Sequence, residues 1–574
     1  MDMKWYYKVS IVLFAITLIA YIGVDLLIKR FVERSVKRIQ VELQDRYRFE
    51  YDEIKVSFFQ RNIILENFTF STVNDSDLMV NKLDFSLERL HLKIDNYKDI
   101  ISNGKLQISI AELNSPTIYS GLRTEINKEE VGKEAFDEDP QLNALQATDS
   151  LNKLLVKILL IEKFKIRNGK LDIYDLDNQN KKIFHSENVN ISGDQLNIDF
   201  TASQLDDIMS ATELIINLQS INSEELKKHE LNVDDIQFTY STNELLISGF
   251  SFRNIDSPEL YSSKQKYRSP WVDINVDTIL IKINPWHIYN KGVLYVKDVT
   301  ISGVNATIYN DVTLALKPKH QDMPSRAIRD ISFPLKIDRI SVGNSNLKYL
   351  HKTEAASTGL FELDHIELIA QNITNIDYLM DMDPILKLDV KALLWNAGIL
   401  KADFQINLKN EFDYIYAKGS LVNMDLQKTE YMIKPLYGVS ISSGYLNKLS
   451  YELAMNENMG EGRLVFSYSD LKVDFKKDSL SSNDANAEQK SNKFLNFVAN
   501  GAIKTNNIPS TNKYIPYGHM IYERSKDKAI FDLYWHSIQS GIMDIVIPDA
   551  FYSPKSSYNK KEKRKEKNRE KSRN

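Results

Sequence analysis

Residues Asp52 to Phe70 read D-E-I-K-V-S-F-F-Q-R-N-I-I-L-E-N-F-T-F, and residues Asp234 to Phe252 read D-D-I-Q-F-T-Y-S-T-N-E-L-L-I-S-G-F-S-F. The two align without a gap. Ile54 meets Ile236, Val56 meets Phe238, Phe58 meets Tyr240, and Phe68-Thr69-Phe70 meets Phe250-Ser251-Phe252. In both, apolar residues alternate with polar ones, the period of strands with one buried face. Further matches follow in the same order. Leu90 to Asp95 (L-H-L-K-I-D) resembles Ile279 to Asn284 (I-L-I-K-I-N). Thr117-Ile118-Tyr119 matches Thr307-Ile308-Tyr309, and the stretch from Ile161 resembles that from Ile337. Ordered self-similarity of this kind predicts a tandem duplication of a β-rich unit.

The expected fold is mainly β with a few helices. One N-terminal transmembrane helix precedes a tandemly duplicated, elongated, curved antiparallel β-sheet. Alternation alone fits both an open groove and a sandwich-like closed core, and favours the closed core. Asn103-Gly104 and Asn168-Gly169 are hairpin signals. Amphipathic helices are expected over 142–159 and 203–220, and a last helix over 526–540. Loops are expected over 125–140 and 312–329.

The remaining boundaries follow from composition. Residues 1–8 precede the apolar run 9–28, and a juxtamembrane amphipathic helix covers 29–48. The first β repeat with helical insertions spans 49–230, the second 231–376, and a third β region 377–477. A polar linker covers 478–493, a β/helix segment 494–552, and a basic tail 553–574, expected to be disordered or a transient solvated helix; it reads as a solubilising tail, the alternative being attraction to an anionic surface.

The run Val9 to Ile28 is long enough to cross a bilayer as a helix. Lys29-Arg30 follows it, without a small-residue cleavage site, so it reads as an anchor rather than a leader. Lys29, Arg30, Arg34, Lys37 and Arg38 outnumber Lys4 and Lys8, which favours a cytoplasmic body. The chain has 574 residues and no cysteine, and the latter suits an oxidising compartment. The two signals point opposite ways.

The net charge of −5 gives no drive toward nucleic acid. His91, His185, His229, His287, His320, His351, His365, His519 and His536 show no zinc spacing, and cysteine ligands are impossible. There is no phosphate loop, dinucleotide fingerprint or nucleophile elbow. Asp381-Met382-Asp383 has the chemistry to bind a cation, but two carboxylates in a loop read first as solvated. No catalytic, metal or cofactor residue is expected, and the chain reads as a non-enzyme.

Leu421 to Leu426 (L-V-N-M-D-L), Ile433 to Gly444 (I-K-P-L-Y-G-V-S-I-S-S-G), Tyr445 to Leu449 and Gly462 to Val473 (G-R-L-V-F-S-Y-S-D-L-K-V) follow one another in the third region. Asn500 to Pro509 and Phe531 to Ile542 close it. With the single anchor and the duplicated β units, this order resembles the AsmA-like family of bacterial envelope proteins, relatives of TamB and of chorein-type bridge-like lipid-transfer proteins. The resemblance implies an inner-membrane, single-pass protein with its body in the periplasm. It also implies a β-groove for phospholipid acyl chains and a role in lipid transport and envelope integrity. The groove positions are then Ile54, Val56, Phe58, Ile236, Phe238 and Tyr240. Other envelope proteins are the remaining partners. The alternative is a scaffold or an assembly factor for outer-membrane proteins that carries no lipid.

Overall fold

The computed structural model describes residues 47–57, 60–72, 80–95, 105–122, 158–175, 181–199, 209–221, 229–239, 242–283, 293–353, 357–475, 503–511 and 514–547, with six positions between 29 and 41. These residues are mainly β, with few helices. The strands are β1 Tyr47–Glu50, β2 Glu53–Ser57, β3 Asn62–Thr72, β4 Val80–Ile94, β5 Lys105–Asn114, β6 Thr117–Leu122, β7 Ile158–Asp175, β8 Lys181–Asp199, β9 Met209–Ser210, β10 Glu213–Ile221, β11 His229–Asn232, β12 Asp235–Thr239, β13 Glu244–Asn254, β14 Trp271–Ile283, β15 Leu294–Ser302, β16 Asn305–Asp311, β17 Leu335–Lys352, β18 Thr358–Thr374, β19 Ile385–Leu394, β20 Gly398–Asn407, β21 Ile415–Asp425, β22 Val439–Met455, β23 Met459–Phe475 and β24 Gly518–Glu523. The helices are α1 Pro258–Ser263, α2 Pro324–Arg329, α3 Asp377–Met382, α4 Glu430–Tyr437 and α5 Ile530–Val546. Two compact units divide the chain. The first contains β1 to β10, β12 and Glu244–Gly249 of β13; the second contains β16 to β24 and the helices α1 to α5.

Several expectations change. The pairing is mixed rather than antiparallel: β5 and β6 both run parallel to β7, and β16 runs parallel to β17. The helix expected over 203–220 gives way to β9 and β10. Glu213–Ile221 has antiparallel neighbours on both sides, β8 and β12, and a strand there satisfies both ladders. Asn168-Gly169 makes no hairpin. It lies inside the 18-residue strand β7, where Asn168 adopts φ 53° and its N–H donates to Asn190 Oδ1 at 3.1 Å. The left-handed residue builds a bulge, and the register shifts there. The last helix lies a few residues later than expected, and the loop over 312–329 ends in α2. Among the described residues no helix is long and apolar enough to cross a membrane. The helix expected over 142–159 runs into β7, which begins at Ile158; residues 142–157, Val9–Ile28, Asn103-Gly104, the loop 125–140, the linker and the basic tail lie outside the described residues.

Backbone bonds recur at, or within two residues of, the offsets of the sequence matches. Asp52 N–H donates to Glu66 O at 3.0 Å, and Asp234 N–H to Ser248 O at 3.1 Å. Ile94 N–H donates to Arg61 O at 2.8 Å, and Ile283 N–H to Asn243 O at 2.9 Å. Lys170 N–H bonds Pro116 O, and Asn346 N–H bonds Val304 O, both at 2.7 Å. The left-handed residues recur too: Arg61 with Asn243, Asn67 with Gly249, Ser115 with Gly303 and Asn168 with Asn344. By this pairing Thr117 corresponds to Asn305, so the Thr-Ile-Tyr match is two residues out of step with the backbone and keeps the same face.

The second unit has a core with helices over its sheet. Its central cluster joins Leu453, Leu464, Phe466 and Met520 from strands to Met380 of α3 and Leu533, Ile538 and Ile545 of α5. A buried ion cluster ties α2 to this core. Asp413, between β20 and β21, is fully buried with φ 52°. Its carboxylate accepts from Ser325 Oγ at 2.7 Å, Arg326 Nη2 at 2.7 Å and Arg329 Nη2 at 2.6 Å. Arg326 and Arg329 stand three apart on one helix face, so both reach the same group. Removing the carboxylate leaves two half-buried guanidinium groups and Ser325 without their buried acceptor. We expect Asp413→Ala to destabilise this unit by about 1.5–3 kcal/mol, read as a lower denaturation midpoint in urea. Asp413→Asn, which keeps one acceptor and tolerates the left-handed backbone, should lose less.

Candidate functional site

The apolar face of the first unit is built by register. Reading directly opposed residues from strand to strand, one row runs Ile54, Leu65, Leu90, Leu113, Ile166, Ile191, Ile216, Ile236 and Ile247. It crosses β2, β3, β4, β5, β7, β8, β10, β12 and β13 without a polar residue. The next row on the same face runs Val56, Ile63, Leu92, Ala111, Phe164, Gly193, Leu214, Phe238 and Leu245. Between them, on the opposite face, lie Lys55, Ile64, His91, Glu112, Lys165, Ser192, Ile215, Gln237 and Leu246. Eight interstrand spacings of about 4.8 Å make each row about 38 Å long.

Four of the six expected groove positions lie in these rows. Ile54 is 2% exposed and Phe238 8%, while Val56 and Ile236 are half-buried. Ile54 opposes Leu65 as Ile236 opposes Ile247, and Val56 opposes Ile63 as Phe238 opposes Leu245. Phe58 and Tyr240 lie outside the described residues. Leu65, Leu90, Leu113, Ile166 and Ile191 were not expected. Their strand alternation is visible in the chain, but their alignment in one row depends on pairing between distant segments.

What covers this face differs from the second unit. Three apolar clusters line it, centred on Ile54, Ile63, Leu65 and Ile94, on Leu87, Leu113 and Ile166, and on Ile108, Ala111 and Ile161. They share Phe68, Leu90, Leu92, Leu106 and Phe164. Every member belongs to β2–β8 or, for Tyr51, to the turn before β2. Among the described residues no helix or second sheet contributes to them. Leu90, Leu92, Phe164, Ile191, Leu245 and Ile247 are only half-buried. A half-exposed aliphatic side chain forgoes part of the roughly 1.5–3 kcal/mol that full burial provides, so an apolar guest laid along the rows would recover it.

The opposite face is held by charge. Lys55 Nζ meets Glu66 at 2.7 Å, and Arg167 meets Glu112 at 3.3 Å. Asp172 accepts from Lys182 Nζ at 2.8 Å and pairs with His185 Nδ1 at 2.6 Å. Burial alone would raise the Asp172 pKa, but the hydrogen bonds to Lys182 and His185 outweigh it and hold the carboxyl below its ordinary value. Among the described residues no group of three or more His, Asp or Glu side chains is placed to hold a metal ion. No protein-family profile matches the chain, and no curated protein matches it.

A depressed carboxyl pKa contributes stability that is complete above the unfolded value of about 3.9 and is lost as pH falls through the folded one. We therefore expect Asp172→Asn to be less stable than the parent protein at pH 7. The gap should close as pH drops below about 4, read as converging urea midpoints at pH 7 and pH 3.

Proposed function

We propose that this chain is a non-enzymatic, membrane-anchored protein of the bacterial envelope whose first unit shields phospholipid acyl chains on their way between the inner and outer membranes. The observation that carries the reading is the pair of apolar rows crossing nine strands, with no covering layer among the described residues. An acyl chain fits the chemistry of such a face, since each buried methylene contributes about 0.8 kcal/mol and needs no directed partner. The recurring hydrogen bonds and left-handed residues support a tandem duplication, which lengthens one apolar face by repeating its unit. The bulges support curvature, because each bends its strand. Val9–Ile28 supplies the anchor in this reading. The resemblance to AsmA-like proteins supports a periplasmic body.

Two experiments test it. Lipid extraction and mass spectrometry of the purified full-length protein should find bound phospholipid. Val56→Glu and Ile236→Glu, at half-buried positions, should fold as judged by circular dichroism and lose most of that lipid. On an open face a carboxylate stays hydrated, whereas in a dry core it would unfold the unit. A folded, lipid-free parent protein would point to a scaffold instead, and lipid retained by both variants would move the site elsewhere. For topology, a reporter active only in the cytoplasm, fused after Phe551, should be silent. Strong activity there would place the body in the cytoplasm and end the inter-membrane reading.

A further inference from the structure

β24 is the last strand of the second unit, and among the described residues it pairs only with β23. In an antiparallel ladder alternate residues direct their N–H and C=O at the neighbour, and the residues between direct theirs away. By this alternation the outward N–H groups are those of His519, Ile521 and Glu523, and α5 answers the first two. Asp544 Oδ2 accepts from His519 N–H at 2.8 Å and lies 3.2 Å from His519 Nδ1. Ser540 Oγ accepts from Ile521 N–H at 3.0 Å while donating to Ser537 O at 2.7 Å.

The geometry is matched. Ser540 and Asp544 stand four apart on the helix, a rise of about 6.0 Å. His519 and Ile521 stand two apart in the strand, about 6.8 Å. The helix runs close enough because Gly518 and Gly541 meet there: a Cβ on Gly518 would collide with the Gly541 carbonyl, and one on Gly541 would lie 2.6 Å from Met520 Cγ. A helix laid over this edge has to answer the N–H groups it takes from water, and Asp544 and Ser540 do so for His519 and Ile521. Two successive outward donors thus meet side-chain acceptors of α5 where a further strand would pair.

We propose that α5 is an edge lock. Ser540 and Asp544 take the place of a neighbouring strand on β24, and so prevent that edge from pairing with the β24 edge of a second copy of this chain. Exposed strand edges template such pairing unless they are covered. The inference stands independently of any lipid.

The chain lacks cysteine, so an added one reports without background. Ile521→Cys in the full-length protein places a thiol near the centre of the edge, where an antiparallel β24–β24 pair brings the two copies within disulfide reach. With the lock intact, mild oxidation should leave the protein a monomer by mass. With Ser540→Ala and Asp544→Leu added, oxidation should convert most of it to a disulfide dimer. Light scattering without oxidant should show the mass doubling as concentration rises. Asp544→Asn with Ser540→Thr keeps both acceptors and should stay monomeric. If the unlocked protein loses its β-type circular dichroism, Asp544→Ala alone carries the test: faster amide exchange at His519 than at Ile521, together with the cross-link. A folded, unlocked protein that stays monomeric and uncross-linked overturns the proposal, as does equal cross-linking with the lock intact.

Discussion

Phase is the constraint on which this structure depends. Side chains alternate faces along a strand, so a slip of one residue in any pairing would turn an apolar row inside out. The first unit keeps phase across nine strands, through antiparallel and parallel pairings alike. It does so despite bulges, each of which inserts a residue and reverses the alternation. In β3, Leu65 and Phe68 sit three apart yet pack in the same cluster, with Asn67 between them at φ 50° and the pairing with β4 unshifted. In β4, Leu87 and Leu90 do the same. The bulges bend the strands without breaking the rows.

The two units use an apolar sheet face differently. In the second, a row runs Ile340, Ala370, Leu388, Phe404, Ala417, Leu453, Gly462 and Met520. Its side chains shrink at Ala417 and Gly462, near the ground that α5 covers. Tyr534 on that helix hydrogen-bonds Tyr451 beneath it, and burial pushes the Tyr451 phenol up to about 12. A floor cut to fit a helix, with a buried hydroxyl pair across the contact, describes a permanent core. The first-unit rows carry Leu, Ile and Phe at nearly every place, with Ala111 and Gly193 the small residues. Among the described residues no helix packs on the clusters that line them.

Much of this was legible in the chain, and the failures have physical causes. Alternation placed Ile54, Val56, Ile236 and Phe238 on one face, since strand period is a local property. The order of Asn507, Ile508 and Pro509 near the C-terminus also carried meaning. Asn507 is fully buried, donates to Phe466 O and Ile515 O, and accepts from Ile515 N–H. What could not be read was partnership. Glu213–Ile221 has a helical pattern of apolar residues, and only its two neighbours make it a strand. Asn168-Gly169 is a turn signal by conformation, and a left-handed residue serves a bulge as well as a hairpin. The parallel pairings of β5, β6 and β16 join segments that no local pattern connects.

The recurrences also explain why the chain resembles itself so faintly. At equivalent places the backbone is kept while the residue changes: Asn67 at φ 50° against Gly249 at 63°, and Ser115 at 53° against Gly303 at 73°. Asn67 Nδ2 donates to Asp52 Oδ2 at 2.7 Å. At the equivalent place Gly249 has no side chain, and the Asp234 carboxylate occupies the space a Cβ would need. One arrangement satisfies the carboxylate with an amide, the other makes room for it, and the chain turns the same way in both. What is repeated is a set of dihedral angles and hydrogen bonds, which many residues can meet. An apolar row is as permissive, since Leu, Ile, Val and Phe exchange there at little cost if volume is kept. A fold specified in these terms can diverge far in sequence while its rows stay in phase.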